Sequence, residues 1–221
     1  LRRFDVVVLP SGDYGEAIGK GVATRLSDWV EQGGTLVALG EASRWLTREN
    51  VGLLSTTTEL KGGKPDVEEK EEDRKAGGSR AREKEGEKPQ PFDLEKAIQP
   101  ERERPDAVPG AVLRVELDRE HWLSAGTAGQ VHAPVDSGRV FTPLKLDKGT
   151  NVGVYAKKEA VVASGLVWDD SRDQLAQKAY LMCQPRGDGH VIAFAEDPNY
   201  RGYAEGTELL FMNAVLLGPA Y

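Results

Sequence analysis

Phe4-Asp5-Val6-Val7-Val8-Leu9-Pro10 is an apolar, β-branched run bounded by turn residues, and a second such run follows at Thr35-Leu36-Val37-Ala38-Leu39. Each reads as a short buried strand. Between them Ile18, Val22, Leu26, Trp29 and Val30 recur at helical spacing, so one helix joins the two strands. Gly33-Gly34 ends that helix, because glycine accepts the left-handed conformation that closes a helix. Gly40-Glu41-Ala42 then turns into another helix. Strand, helix and strand of these lengths make a βαβ unit, which implies parallel pairing and a right-handed crossover.

Ligands of open α/β sheets sit beyond the carboxyl ends of the strands. Two loops therefore frame the expected crevice, Ser11 to Gly15 and Gly40 to Ser43. The second is a strand-to-helix turn, where some α/β enzymes carry a nucleophile. Here the turn offers Gly40 and Glu41 and no cysteine, with Ser43 inside the first helical turn.

Working outward, Glu41 to Leu54 reads as a helix entering a loop. From residue 61 to 106 the composition breaks, with 12 Lys plus Arg against 14 Asp plus Glu. Its large apolar residues are Val67, Phe92, Leu94 and Ile98, too few to offset the entropy of ordering such a stretch. It reads as a solvated insertion, or else a charged docking arm, with one short helix over Phe92 to Ile98. This divides the chain into 1–60 and 107–221, two parts of one domain, around the insertion 61–106. Short strands are expected at Ala111–Leu117, Gly129–His132, Val140–Leu146, Asn151–Tyr155 and Ala160–Val167. Ser171–Lys178 resembles a helix. Ala179–Gln184 and His190–Ala195 flank Pro185-Arg186-Gly187-Asp188-Gly189 as a hairpin. Gly206-Thr207 is expected to cap a last helix carrying Leu209, Leu210, Met212, Val215 and Leu216.

The chain has 221 residues and a formal net charge of −7. An acidic chain without a basic stripe argues against nucleic acid as partner, and no apolar run reaches membrane-spanning length. The single Cys183 excludes an internal disulfide. Set in the apolar run AYLMCQ, it reads as a core residue. His121, His132 and His190 are scattered and form no HExxH pattern, so no cofactor or metal is expected in this piece. The chain opens at Leu1-Arg2-Arg3 without Met, which reads as a piece of a longer protein.

The ordered set FDVVVLPSGDYG, WVEQGGTLVALGEASRWL and GDGHVIAFAEDPNYRGYAEGTELLFMNAVLLG resembles the class I glutamine amidotransferase-like fold. With VPGAVLRVELDREHWLSAG and SGLVW, it most resembles the C-terminal domain of bacterial zinc carboxypeptidase-like proteins. The likeness covers most of the chain outside 61–106. It implies an α/β, three-layer, mostly parallel sheet flanked by helices, with extra antiparallel strands and a charged insertion. Catalytic amidotransferases carry a cysteine after the second strand, where this chain has Gly40 or Glu41. They also carry a late His-x-Glu, whereas His190 is followed by Val191 and Ile192. The resemblance therefore implies a non-catalytic accessory domain whose partner is an upstream peptidase domain of the same chain. Zinc would belong to that catalytic domain, the first strand of the fold would precede Leu1, and the protein would be extracellular or periplasmic. The alternative is a small-molecule hydrolase or a ligand-binding module using the crevice.

The candidate ligand-binding residues are Ser11, Asp13, Gly40, Glu41, Asp197, Asn199 and Arg201. Each has a structural reading beside it. Ser11 and Asp13 would cap the first helix, with nearby N–H groups able to hold an anion. Glu41 would sit at a helix N-terminus because the dipole favours it. Asp197 and Arg201 would pair across their loop. Trp29 and Trp45 read as core anchors, while Trp122 and Trp168 lie near turns.

Overall fold

The computed structural model describes residues 1–15, 20–67, 98 and 102–221. Among them eight strands form one sheet: β1 (Val6–Leu9), β2 (Thr35–Leu39), β3 (Ala111–Leu117), β4 (Gln130–Val135), β5 (Thr150–Tyr155), β6 (Val162–Gly165), β7 (Ala179–Arg186) and β8 (Gly189–Phe194). The helices are α1 (Lys20–Glu31), α2 (Glu41–Leu46), α3 (Asp169–Leu175) and α4 (Glu205–Leu216). Strand order is β1-β2-β8-β7-β5-β3-β4, with β6 also paired to β3.

The expected βαβ unit is present. β1 pairs parallel with β2, Val6 opposite Thr35, and β2 pairs parallel with β8, Leu39 opposite Phe194. All five residues of β2 are buried, as both faces of a parallel strand require cover. Gly33 takes φ 103° at the end of α1, so its lack of a Cβ is used there. Ile18, placed on that helix by its spacing, lies outside the described residues.

The mostly parallel sheet expected from the resemblance is corrected by the remaining pairings. β8–β7, β7–β5, β5–β3, β3–β4 and β3–β6 are all antiparallel. The cause is local: the turn after Arg186 folds β8 back on β7, and glycine- and proline-punctuated turns build a meander beyond it. β3 alternates buried and less buried residues, the signature of a strand with one wetter face. β4 holds Pro134 at the far edge of the sheet, where a missing N–H costs least. Val140–Leu146 forms no strand; Phe141 alone bridges Thr58 and Ala179, and Pro143 denies the run a ladder donor.

α4 starts at Glu205, with Ala204 rather than Gly206 at the cap position. The Thr207 hydroxyl instead donates to the carbonyls of Pro198 and Ala204. The helix buries Thr207, Leu210, Asn213 and Ala214, and Asn213 donates to the carbonyls of Leu123 and Ala125. Trp29 and Trp45 are buried as core anchors; Trp168 is half exposed, and Trp122 stacks on Tyr221 with ring centres 4.9 Å apart.

Both flanks of the charged segment are tied down. Asp66, nearly buried, meets Arg44 and Arg102, each at 2.6 Å. Lys61 meets Glu103 at 3.3 Å and Asp106 at 3.2 Å. The short helix expected over Phe92 to Ile98 lies outside the described residues except for Ile98, which is exposed.

Candidate functional site

The elbow after β2 is the centre of the site. Gly40 takes φ 54° and ψ −116°, a conformation open to glycine and strained for other residues. A Cβ placed there would lie 2.6 Å from Ser11 Oγ and 3.5 Å from Arg139 Nη2. The space a nucleophile's side chain would need is thus taken by Ser11. Ser11 Oγ accepts the N–H of Glu41 at 3.2 Å, at the start of α2, while the cap expected for the first helix falls on residues outside the described ones. Ser43 is buried, and its hydroxyl donates to the carbonyls of Ala38 and Phe194, stitching the ends of β2 and β8 together.

Beside the elbow lies a charge network. Glu196 follows β8 and is buried. Its carboxylate accepts from Ser137 Oγ and from the Arg139 guanidinium. Arg139 also donates to the Ala195 carbonyl at 3.1 Å and to Glu41 Oε1 at 3.2 Å. Burial pushes the Glu196 carboxyl up to about 7, against the opposing pull of Arg139 and Ser137. Arg139 is held above its ordinary value: burial lowers it, and its two carboxylate partners more than compensate. All three guanidinium nitrogens are engaged, as a fork-shaped cation buried between acids must be.

A cleft of about 940 Å³ opens over this network. One side is the sheet surface of β3, β4 and β6; the other is the loop from Glu196 to Gly206 and the start of α4. A smaller cleft of about 220 Å³ lies on the far side of Arg139 and includes Glu41, Arg44 and Asp66. Arg139 lines both.

The candidate residues separate on this map. Ser11 and Asp197 line the larger cleft, and Glu41 lines the smaller. Gly40 lies beneath, bonded through its N–H to the Phe194 carbonyl at 3.0 Å. Asp13 stands apart, accepting the Gly15 N–H at 2.8 Å and reaching Arg48 at 3.9 Å. Asp197 accepts the Asn199 N–H at 2.9 Å, and the carbonyl of Asn199 accepts from Gly202. Arg201 does not pair with Asp197; it takes φ 52° and lies 5.3 Å over its own neighbour's ring, Tyr200. Cys183 is buried, and burial pushes its thiol up to about 12, which keeps it protonated.

Sequence reading missed Arg139 and Ser137. They stand in Asp136-Ser137-Gly138-Arg139-Val140, a polar turn with no periodic signal. Their partner Glu196 is distant in sequence, and only the antiparallel meander brings them together. Among the described residues, no group of three His, Cys, Asp or Glu side chains could hold a metal ion. Among them also, no helix is long and apolar enough to cross a membrane.

Neither a family model nor a curated protein matches the chain. Solved structures do match. A ThuA-like protein from Parabacteroides merdae ATCC 43184 superposes with TM-score 0.54 at 8% identity, over 99% of this chain and 71% of its own. PurLQS from Thermotoga maritima gives 0.51 at 11% identity, over 97% and 80%. The β-galactosidase from Bacillus circulans sp. alkalophilus gives 0.50 at 14% identity over 97% of this chain, which spans only 22% of that enzyme. The fold is α/β, one mixed sheet flanked by helices, consistent with a glutamine amidotransferase-like fold.

Proposed function

We propose that this is a non-catalytic accessory domain of glutamine amidotransferase-like fold, serving a zinc-carboxypeptidase-like peptidase of the same protein, bacterial and exported. The observation that carries the non-catalytic part is the elbow. Gly40 provides no nucleophile, and Ser11 fills the place a side chain would take. The nearby alternatives are spent: Ser43 holds two strand ends together, and the Cys183 thiol is buried and protonated. His190 lies at the start of β8, at the opposite end of the strand from the elbow. That the same fold matches only 22% of a β-galactosidase chain is in keeping with its use as one part of a larger protein. The peptidase partner and its zinc rest on the sequence resemblance. We place the contact with that partner along β1, which pairs with β2 alone among the described strands and so offers a free edge.

The test has two arms. The chain is assayed for glutamine hydrolysis; none above background is expected, and hydrolysis abolished by Cys183→Ser overturns the reading. Glu41→Ala, Asp197→Ala and Arg201→Ala are then made separately in the whole protein. Peptidase turnover within a few-fold of wild type is expected. A fall of about 100-fold with the fold intact, roughly 2.7 kcal/mol of transition-state stabilisation, overturns the accessory role.

A second reading, a ligand-binding module, is favoured by the larger cleft. A cleft of this size at the carboxyl ends of β1 and β8 is where such sheets bind small molecules.

A further inference from the structure

The larger cleft has two chemistries. Its floor on the β3–β4 sheet surface includes apolar Ala111, Val131, Pro134 and Val135, beside polar Gln130 and His132. Its rim is acidic: Asp136, Asp197 and Glu205 stand around it, with Glu196 at its base. Among the described residues lining it, the one Lys or Arg is Arg139, whose guanidinium is already bound to Glu196 and Glu41, and His132 stands with it. The cleft therefore keeps an excess of negative charge that its own walls do not neutralise. The start of α4 also opens into the cleft, and alone it would draw an anion. Glu205 and Glu208 in its first turn cancel that attraction. Tyr203, 74% exposed, adds an aromatic face at the mouth.

We propose that this cleft binds an amphipathic cation, a ligand with an aliphatic stem ending in an ammonium or guanidinium group. The stem lies on the valines and alanine of the floor, where burying each methylene contributes about 0.8 kcal/mol. The charged head meets the rim carboxylates, and an aromatic face at the mouth suits a cation better than an anion. The volume is in the range that takes a small molecule or a few residues of peptide. Two sources share this chemistry, a basic side chain in a peptide and a free polyamine. The inference concerns only the cleft and stands whether or not the accessory reading holds.

The experiment titrates the whole chain with four probes at low ionic strength: a blocked tripeptide with central lysine, its norleucine and glutamate counterparts, and spermidine. Binding of the lysine peptide, of spermidine or of both, with the norleucine and glutamate peptides weaker by about tenfold, is the expected result. The better of the two cations names the source. Added salt weakens the binding, because exposed charges are screened. Asp136→Asn and Glu205→Gln, both exposed residues whose exchange leaves the fold intact by circular dichroism, each weaken it by roughly threefold. Norleucine binding as well as lysine, preference for glutamate, absence of binding by both cations, or indifference to both substitutions overturns the proposal.

Discussion

The two halves of the sheet solve the same burial problem differently. The β1-β2-β8 side is parallel, with β2 and β8 buried along their whole length. The β7-β5-β3-β4-β6 side is antiparallel, and β3, β4 and β5 alternate or mix their burial. The parallel side supplies a rigid elbow whose local geometry leaves no room for a side chain. The antiparallel side supplies Arg139 and Ser137, which close a charge network over the elbow, and the floor of the larger cleft. A polar site thus arises where a fully covered strand bundle meets a half-wet meander.

The largest way to break that junction is Arg139→Ala. It leaves Glu196 and Glu41 without their common cation, and losing one partner of a buried pair costs about 3–5 kcal/mol. Urea unfolding should show this loss growing as pH rises through 7, where the wild-type Glu196 becomes charged beside Arg139. It should shrink as pH falls and Glu196 becomes neutral. A flat cost from pH 5 to 8 would mean the network is not electrostatic.

Next comes the elbow itself. Gly40→Ala forces a Cβ into a positive-φ position against Ser11, at about 2–3 kcal/mol. The double change with Ser11→Gly removes the clash and should recover part of that loss. No recovery would show that backbone strain alone sets the cost.

The two ends of β8 should then pull the pH profile in opposite directions. Glu196, beyond its end, has a folded carboxyl raised from 4.5 to about 7, so the folded state holds more protons and stability falls as pH rises across that window. His190, near its start, is lowered by burial, as is His121, whose Nδ1 accepts the Leu123 N–H. For these the unfolded state binds more protons, so stability falls as pH drops below the ordinary value of 6.5. Asp118 partly offsets the shift at His121. Glu196→Gln should flatten the first slope, worth about 3 kcal/mol across that window, and His190→Gln should flatten the second.

The smallest effect is expected from the charged segment. Exchanging residues 68–101 for a short Gly/Ser linker should change stability by about 1 kcal/mol or less, since closure entropy moves about 0.6 kcal/mol per doubling of length. Asp66→Ala should cost more than that whole exchange, because it removes a nearly buried carboxylate paired with both Arg44 and Arg102.

Much of this was readable in the chain. Val6–Leu9 and Thr35–Leu39 are continuous apolar runs, and Ala111–Leu117 alternates, so each declared its setting through its period. The hairpin at Arg186–Gly189 followed from its glycines. The dominance of antiparallel pairing was not readable. Pairing direction depends on which strands become neighbours, and the joining of β5 to β7 and of β3 to β5 is non-local. The site was half readable. Ser11, Glu41 and Asp197 sit at strand ends, where topology alone puts ligands. Arg139 carries no local mark, because its meaning comes from Glu196, which folding places beside it.

The clasp of Asp66 with Arg102, backed by Lys61 with Glu103, has an engineering consequence. Residues 66 and 102, which bracket the charged segment, lie at neighbouring points that their side chains already hold together. Such a junction is a docking port for foreign sequence. A fluorescent or affinity module grafted there would report on the intact protein.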